Sequence, residues 1–468
     1  MSIPNTNYGA ERIARMLEGC ESIYFIGIGG VNMSSLAEIT QLRGCRVGGS
    51  DRTETAVTQK LESLGIEVFY SHEAEHLAGY GAVVYTVAIA PDNPEYVVAQ
   101  TLGLPCFSRA DYLGYVMTSY TRRIGVSGMH GKSTCTSMCA SALYHAAGDP
   151  TVLCGAVMPE FSSAYRIGGD ENFVFEACEY MDSFLSFRPN IAVVLNIEMD
   201  HVDYFKDIKQ IRHSYSTFAG ITGSNGYAVV NDDDENVRVA MSTYVGHLVT
   251  FGVKSETAQW YAANITAHRG FPEYDVFRRG DAEPTAHIRL SVPGMHNVYN
   301  SLAAFVVGMI CGLDPQALAD GLESFRGAAR RMEFKGKLNG ADVFDDYGHH
   351  PTEVKATLLG AQMMNYERVF CVFQPHTYTR TSALWEDFIA ALKTADRVFL
   401  ADIYAARETD TLGISSALLA REIGDKARFC ADFAEIAANL TAEAREGDAV
   451  IIMGAGDIYK VYPFLPLE

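Results

Sequence analysis

Short apolar runs rich in Val, Ile and Phe recur along this chain. Ile23–Ile26, Ala82–Tyr85, Arg123–Val126, Phe173–Phe175, Ala192–Ile197, Val369–Phe373, Val398–Leu400 and Val450–Met453 each read as a strand. The stretches between them are often long enough for a helix. That alternation predicts βαβ units and mostly parallel sheets, an α/β fold. Between Trp260 and Ser291 the pattern turns strand-like and antiparallel, as expected of an insertion in the middle of the chain. The pattern restarts near Tyr115–Arg123 and near Gly327–Gly336, which divides the chain into 1–118, 119–330 and 331–468. The length of 468 residues agrees, at roughly 150 residues per domain.

Polar residues cluster immediately after these strands. The clusters are Gly27–Ser34, Gly128–Ser133, Glu176–Glu179, Glu198–His201, Asp345–His350, His376–Arg380 and Gly454–Asp457. Open α/β sheets bind ligands beyond the carboxyl ends of their strands. An ordinary loop start explains a Ser or an Asp, but not clustered His, Glu and Gly.

Composition narrows the partners. Lys+Arg is 37 against 57 Asp+Glu, a net charge of −20, which argues against general binding to nucleic acid or anionic lipid. The longest apolar run, near Ser301–Leu313, is shorter than the roughly 20 residues a membrane helix needs. The first residues carry no apolar core of a signal peptide, and the ten cysteines form no CxxC pair or zinc pattern. The expectation is reduced thiols in a cytoplasmic protein.

Two glycine-rich loops carry the clearest chemistry. Gly27, Gly29 and Gly30 follow a strand and Asn32 opens a helix, with Asp51 ending the next strand. This is half of a dinucleotide fingerprint, equally compatible with a nucleotide diphosphate or with a bare βα turn. In the second loop, Gly128-Met129-His130-Gly131-Lys132-Ser133-Thr134 lies between a strand and a helix. Backbone N–H groups there would hold phosphate oxygens, Lys132 would reach the β/γ-phosphates, and the Ser133 hydroxyl would meet Mg²⁺. Glu176 at the end of a later strand suits the same ion, whereas His201 is a less typical ligand for it. Asp232-Asp233-Asp234 reads as a solvated turn. Pro351, Thr352 and Glu353 read as a helix start after the Asp345–His350 cluster.

Together these motifs resemble the Mur ligases, ATP-dependent enzymes that build the peptide of peptidoglycan. The resemblance rests on GIGGVNMS at 27–34, GMHGKST at 128–134, EACE at 176–179, NIEMDHVD at 196–203 and PGMHNVYNSLAA at 293–304. RRMEFKG at 330–336, DDYGHHPTEV at 345–354, FQPHTYTRT at 373–381 and GAGDIY at 454–459 complete it, in family order over nearly the whole chain. It implies a Rossmann-like N-terminal domain, a central P-loop ATPase-type α/β domain and a Rossmann-like C-terminal domain. It implies that L-alanine is joined to the lactyl carboxylate of UDP-N-acetylmuramate, with ATP and Mg²⁺ (or Mn²⁺), through an acyl phosphate.

By position, Gly27, Gly29, Gly30, Asn32, Met33, Ser34, His72 and Arg109 would hold the UDP-sugar, with Asp51 beside them. Gly128, His130, Gly131, Lys132, Ser133 and Thr134 would take the ATP phosphates. Ser133, Glu176 and His201 would hold the metal. His296 and Asn297 would face the adenine, while Arg331 and Asp346 would help close the nucleotide site. Tyr347, His349, His376 and Arg380 would line the amino-acid pocket. Lys132, His201, His349 and Arg380 would be the catalytic groups. A homodimer is compatible with the resemblance, and the expected partners include neither nucleic acid nor membrane.

Three departures stand out. Thr377 replaces the Arg usual after the His of FQPH, which removes one candidate contact to the amino-acid carboxylate. Cys178, Tyr180 and Met181 replace more usual acidic and serine residues near Glu176. Met129 stands where Thr is common. Within the family, a ligase adding glycine, serine or a recycled peptide to the same sugar is the alternative. An oxidoreductase built on Gly27–Asp51 would leave Gly131-Lys132-Ser133 and the histidines unexplained. A regulatory protein that binds ATP without turnover would likewise not use the full motif order.

Overall fold

The computed structural model describes residues 3–201, 204–406, 408–410 and 412–468. Its three sheets fall one in each segment of the proposed division. The first is wholly parallel, in the order Glu67–Phe69, Arg46–Ser50, Ser22–Ile26, Ala82–Tyr85, Cys106–Ser108. Its strands are short and, apart from the edge strand Glu67–Phe69, largely buried on both faces, as covering helices on each side require. The strand order switches sides between Ser22–Ile26 and Ala82–Tyr85, which opens a crevice at their carboxyl ends.

The middle sheet has ten strands, and its parallel core is Arg122–Ser127 between Asn172–Glu176 and Ile191–Val194. Residues 260–291 do not form a separate insertion. Trp260–His268, Phe271–Arg278 and Ala286–Arg289 pair antiparallel and extend this sheet from the strand His247–Gly252. The apolar run near Ser301–Leu313 lies largely in a helix, Met295–Ile310, that packs against the helix Lys132–His145. Among the described residues no helix is long and apolar enough to cross a membrane. The third sheet runs Glu333–Leu338, Ala341–Asp346, Asp448–Met453, Arg368–Phe373, Arg397–Leu400, Ala427–Phe429, with only its first strand antiparallel.

The Asp232–Asp234 run is not a solvated turn. Asp233 accepts backbone N–H bonds from Val253, Lys254 and Ser255 and a hydrogen bond from the Tyr299 hydroxyl. Asp234 caps the helix Glu235–Met241 and also accepts from Ile197 N–H. The run fastens two loops and a helix N-terminus, work that consecutive acceptors do well and that a charge count does not reveal.

Segments meet through polar contacts. Lys60 donates to Tyr165 Oη (2.7 Å), which donates to Glu38 (2.7 Å), joining the first segment to the second. Arg380 Nε binds Asp200 Oδ1 at 2.9 Å, joining the third to the second.

Candidate active site

The strand Arg122–Ser127 leads into the second glycine-rich loop. Gly128 (φ +149°) and Gly131 (φ +82°) adopt conformations that side chains resist, and a Cβ on Gly131 would sit 2.7 Å from Asn300 Oδ1. The loop is tied to the neighbouring strand end: His130 N–H donates to Asn196 Oδ1 (2.8 Å), and Asn196 Nδ2 donates back to the His130 carbonyl (3.0 Å). The helix Lys132–His145 follows, so its N-terminal N–H groups face the loop.

Lys132 Nζ donates to the carbonyls of Gly128 (2.7 Å) and Met129 (3.0 Å) and pairs with Glu179 at 3.0 Å. Glu179 is completely buried and also receives His201 Nε2 at 3.1 Å. Burial raises the Glu179 carboxyl, but Lys132 and His201 outweigh it and hold the group below its ordinary range. Ser133 Oγ donates to Glu176 Oε2 (2.8 Å), which also accepts Gly155 N–H (2.7 Å). A hydroxyl and a carboxylate in contact beside a phosphate loop are oxygen donors of the kind Mg²⁺ takes. His201, placed on the same cavity, turns Nε2 to Glu179 rather than to Glu176. In the motif at 196–203, residues 202 and 203 lie outside the described residues.

These groups line a cavity of about 410 Å³ together with Arg330, Arg331, Tyr347, His349 and Glu353 of the C-terminal segment. A second cavity of about 560 Å³ adjoins it, sharing His130, Gly131, Arg331 and Glu353. Thr134, His296, Asn297 and Asp346 line this one. Burial, assisted by Arg331, pulls His296 down to about 4, so its imidazole is neutral at neutral pH. Burial pushes Asp346 up to about 6 against the pull of Arg331, while its oxygens accept N–H bonds from Met332 and Gly348. Burial lowers His349 to about 4, opposed by Glu353.

Between the cavities, His130 forms a bridge. Its Nε2 lies 3.0 Å from Glu198 and its Nδ1 3.4 Å from Glu353. Burial lowers its pKa, but the two carboxylates overcome that and raise it to about 9. Thr352 Oγ1 donates to Glu198 at 2.8 Å, so the same carboxylate grips the start of the helix Pro351–Gln362. His130, Glu198 and His350 bring ligand-type atoms within 4.8 Å of one another. With both His130 nitrogens facing carboxylates, the cluster is a hydrogen-bonded bridge rather than a vacant ligand set.

Arg380 is 8% exposed, pairs with Asp200, and lies 3.4 Å from His376 Nδ1. Burial raises the Asp200 carboxyl, yet Arg380 outweighs it and holds that carboxyl well below its ordinary range. The His376 ring lies 5.9 Å from that of His349. Arg380 and His376 thus border the central cavity from behind Asp200 and His349 and do not line it directly.

The first glycine-rich loop borders a separate cavity of about 450 Å³, lined by Gly27, Gly30, Asn32, Met33, Asp51, His72 and Arg109. Gly29 N–H donates to Asp51 Oδ2 (2.9 Å), and a Cβ on Gly29 would come within 2.8 Å of that oxygen. Ser34 is turned inward, donating to the Val31 carbonyl. Burial lowers the Arg109 guanidinium, and among the described residues no carboxylate or hydrogen-bond partner meets its side chain.

Three family models match in order: the Mur ligase family catalytic domain over 22–121, the Mur ligase middle domain over 126–308, and the Mur ligase glutamate ligase domain over 330–456. The chain belongs to the Mur ligase family. It is 45% identical over 443 residues to a UDP-N-acetylmuramate–L-alanine ligase of Acetivibrio thermocellus, covering 94% of each chain. A Caldicellulosiruptor bescii relative of the same name is 43% identical, over 93% of this chain and 96% of its own. The crystal structure of UDP-N-acetylmuramate–alanine ligase from Thermotoga maritima superposes with a TM-score of 0.76 at 28% identity, covering 95% of this chain and 98% of that one.

Several side chains of this Mur ligase escaped the sequence reading. Glu179, Asp200, Glu198 and Glu353 balance Lys132, Arg380 and His130. Glu179 and Glu198 were visible as members of strand-end clusters, without partners. Glu353 read only as part of a helix start. It does fill that role, accepting N–H bonds from His349 and His350, and a second one by facing His130 and Arg331.

Proposed function

We infer that this Mur ligase joins L-alanine to the lactyl carboxylate of UDP-N-acetylmuramate at the expense of ATP. The observation that carries the reading is the junction of two cavities at His130, Gly131, Arg331 and Glu353, where phosphate-loop groups face the Tyr347–His349 loop. The whole-length relatives support the choice of substrates.

ATP takes the larger cavity, its base beside neutral His296 and Asn297 and its phosphates on the loop ahead of Lys132. The γ-phosphate then lies in the central cavity. Ser133 and Glu176, with His201 nearby, would hold Mg²⁺ (or Mn²⁺), which would neutralise phosphate charge when bound. The lactyl carboxylate attacks the γ-phosphorus and ADP leaves. A carboxylate is a poor acyl donor near neutral pH, and the acyl phosphate supplies the missing leaving group. Attack brings two anions together, so Lys132 must exchange Glu179 for phosphate, with Glu179 left partnered by His201. The amine of alanine then attacks the acyl carbon, phosphate departs, and the amine gives up a proton. His349, kept neutral by burial, is the candidate acceptor. Arg380 and His376 border the amino-acid side of the site. Thr377 offers no charge to the amino-acid carboxylate, which leaves Arg380, set behind Asp200, as the cation bordering that side.

Phosphate release measured with ATP, Mg²⁺, UDP-N-acetylmuramate and, in turn, L-alanine, glycine, L-serine and a tripeptide tests the assignment. The expected result is turnover with L-alanine at the highest kcat/KM. Turnover with the tripeptide alone would overturn the substrate assignment.

A further inference from the structure

Behind the first glycine-rich loop lies a carboxylate that the reaction does not use. Asn93 caps the helix Pro94–Thr101, with Pro94 in its first turn, so Glu95 sits where the helix N-terminus favours negative charge. Its side chain is completely buried. Oε1 accepts from Tyr24 Oη (2.7 Å) and faces His76 Nδ1 (3.2 Å). Oε2 accepts from Ser50 Oγ (2.6 Å) and faces His72 Nδ1 (2.8 Å). An ionised carboxylate only accepts hydrogen bonds, and has about four lone-pair sites. Four neighbours fill them, so both histidine Nδ1 atoms carry protons. Burial and the Glu95 charge push the Tyr24 phenol well up, which keeps it a donor.

The two histidines differ in what lies beyond them. His76 stacks flat on Phe69 at 3.9 Å. His72 lines the cavity that holds Asn32, Asp51 and Arg109. A role in stability alone would be met as well by an apolar residue, because burying a charge costs solvation that its partners seldom repay in full.

We propose that Glu95 is a positioning residue for the UDP-sugar: it fixes the proton of His72 on Nδ1 and the ring's orientation, so that Nε2 faces the uridine diphosphate ligand. This rests on the reading of that cavity as the UDP-sugar site. Carboxylates that accept the free N–H of metal-bound histidines fix ring and tautomer in the same way.

The test is a double-mutant cycle read as KM for UDP-N-acetylmuramate. Glu95→Gln retains the shape but offers an amide that cannot accept four hydrogen bonds. It should raise that KM by about tenfold, the effect of losing one strong hydrogen bond. The kcat at saturating sugar nucleotide and the KM for ATP should stay unchanged. In a His72→Gln background, Glu95→Gln should add no further effect. Additive effects, or an unchanged KM in the single variant, would overturn the inference. If Glu95→Gln fails to fold, the ¹⁵N shifts of the His72 ring in the wild-type chain decide. A proton on Nδ1 supports the proposal, and a neutral ring protonated only at Nε2 overturns it. Calorimetry of UDP with the wild-type chain separates the two levels. Absence of UDP binding overturns the site reading, whereas intact binding with a failed cycle overturns the role of Glu95 alone.

Discussion

The two glycine-rich loops share one backbone device and differ in their charges. Each follows a parallel strand and precedes a helix. The loop at Gly27–Gly30 contains no cation. Asp51 ties its Gly29 N–H, and the positive charge on its cavity comes from Arg52 and from the more deeply set Arg109, which meets no carboxylate among the described residues. The loop at Gly128–Gly131 leads directly into Lys132, whose charge is already met by two carbonyls and Glu179. An unpaired cation on a preformed cavity is suited to holding an anion. A cation that must trade one anion for another is suited to charge migrating during a reaction. The strand–glycine–helix pattern therefore specifies where phosphate sits, and the surrounding carboxylates decide whether anything happens to it.

The largest expected effect breaks the second loop alone. Lys132→Ala should lower phosphate release by about 1000-fold or more while leaving UDP affinity by calorimetry unchanged. A matching loss of UDP affinity would erase the distinction between the loops. Next, Arg109→Ala should raise the KM for UDP-N-acetylmuramate by roughly 30-fold, within the range for a hydrogen bond to a charged group, with the KM for ATP unmoved. A comparable rise for ATP would show that the first loop reports on the second.

Arg380→Ala should raise the KM for L-alanine by about tenfold, far more than that for ATP, if one strong hydrogen bond is lost. It also strands Asp200, and removing one partner of a buried pair costs about 3 kcal/mol. Adding Asp200→Asn should recover part of the lost denaturation midpoint. Full stability in Arg380→Ala would mean that the pair does not join the segments.

The smallest effect concerns pH. His130 has its folded pKa raised to about 9 by Glu198 and Glu353. A raised histidine stabilises fully below its unfolded pKa of about 6.5, and that contribution fades as pH rises through the folded value. The wild-type melting temperature should fall across this window, and His130→Gln should flatten the fall. An unchanged slope in the variant would remove the bridge from the joint between cavities.

Much of this was legible beforehand for a local reason. Strands such as Val369–Phe373 are buried on both faces and therefore continuously apolar, and glycines at 27, 128 and 131 mark turns that side chains resist. Residues 260–291 showed their strand character, but not that they would join the edge of an existing sheet, because pairing partners lie elsewhere in the chain. The Asp232–Asp234 run misled because an acidic triplet looks the same whether water or backbone N–H groups solvate it. Arg380 read as part of the polar cluster that follows a strand and lies in the helix Tyr378–Ala383, while Asp200, 180 positions away, was invisible as its partner.

The order of motifs, the family they belong to and the positions of the phosphate loops are properties of the sequence by itself, since each depends on residues within a few positions of one another. The tertiary structure alone decided which charges meet. Lys132 with Glu179, His130 with Glu198 and Glu353, and His72 with Glu95 are contacts between strand-end loops and helix starts far apart in the chain, and only the pairing of strands within a sheet and, for Glu353, the meeting of two segments bring them together.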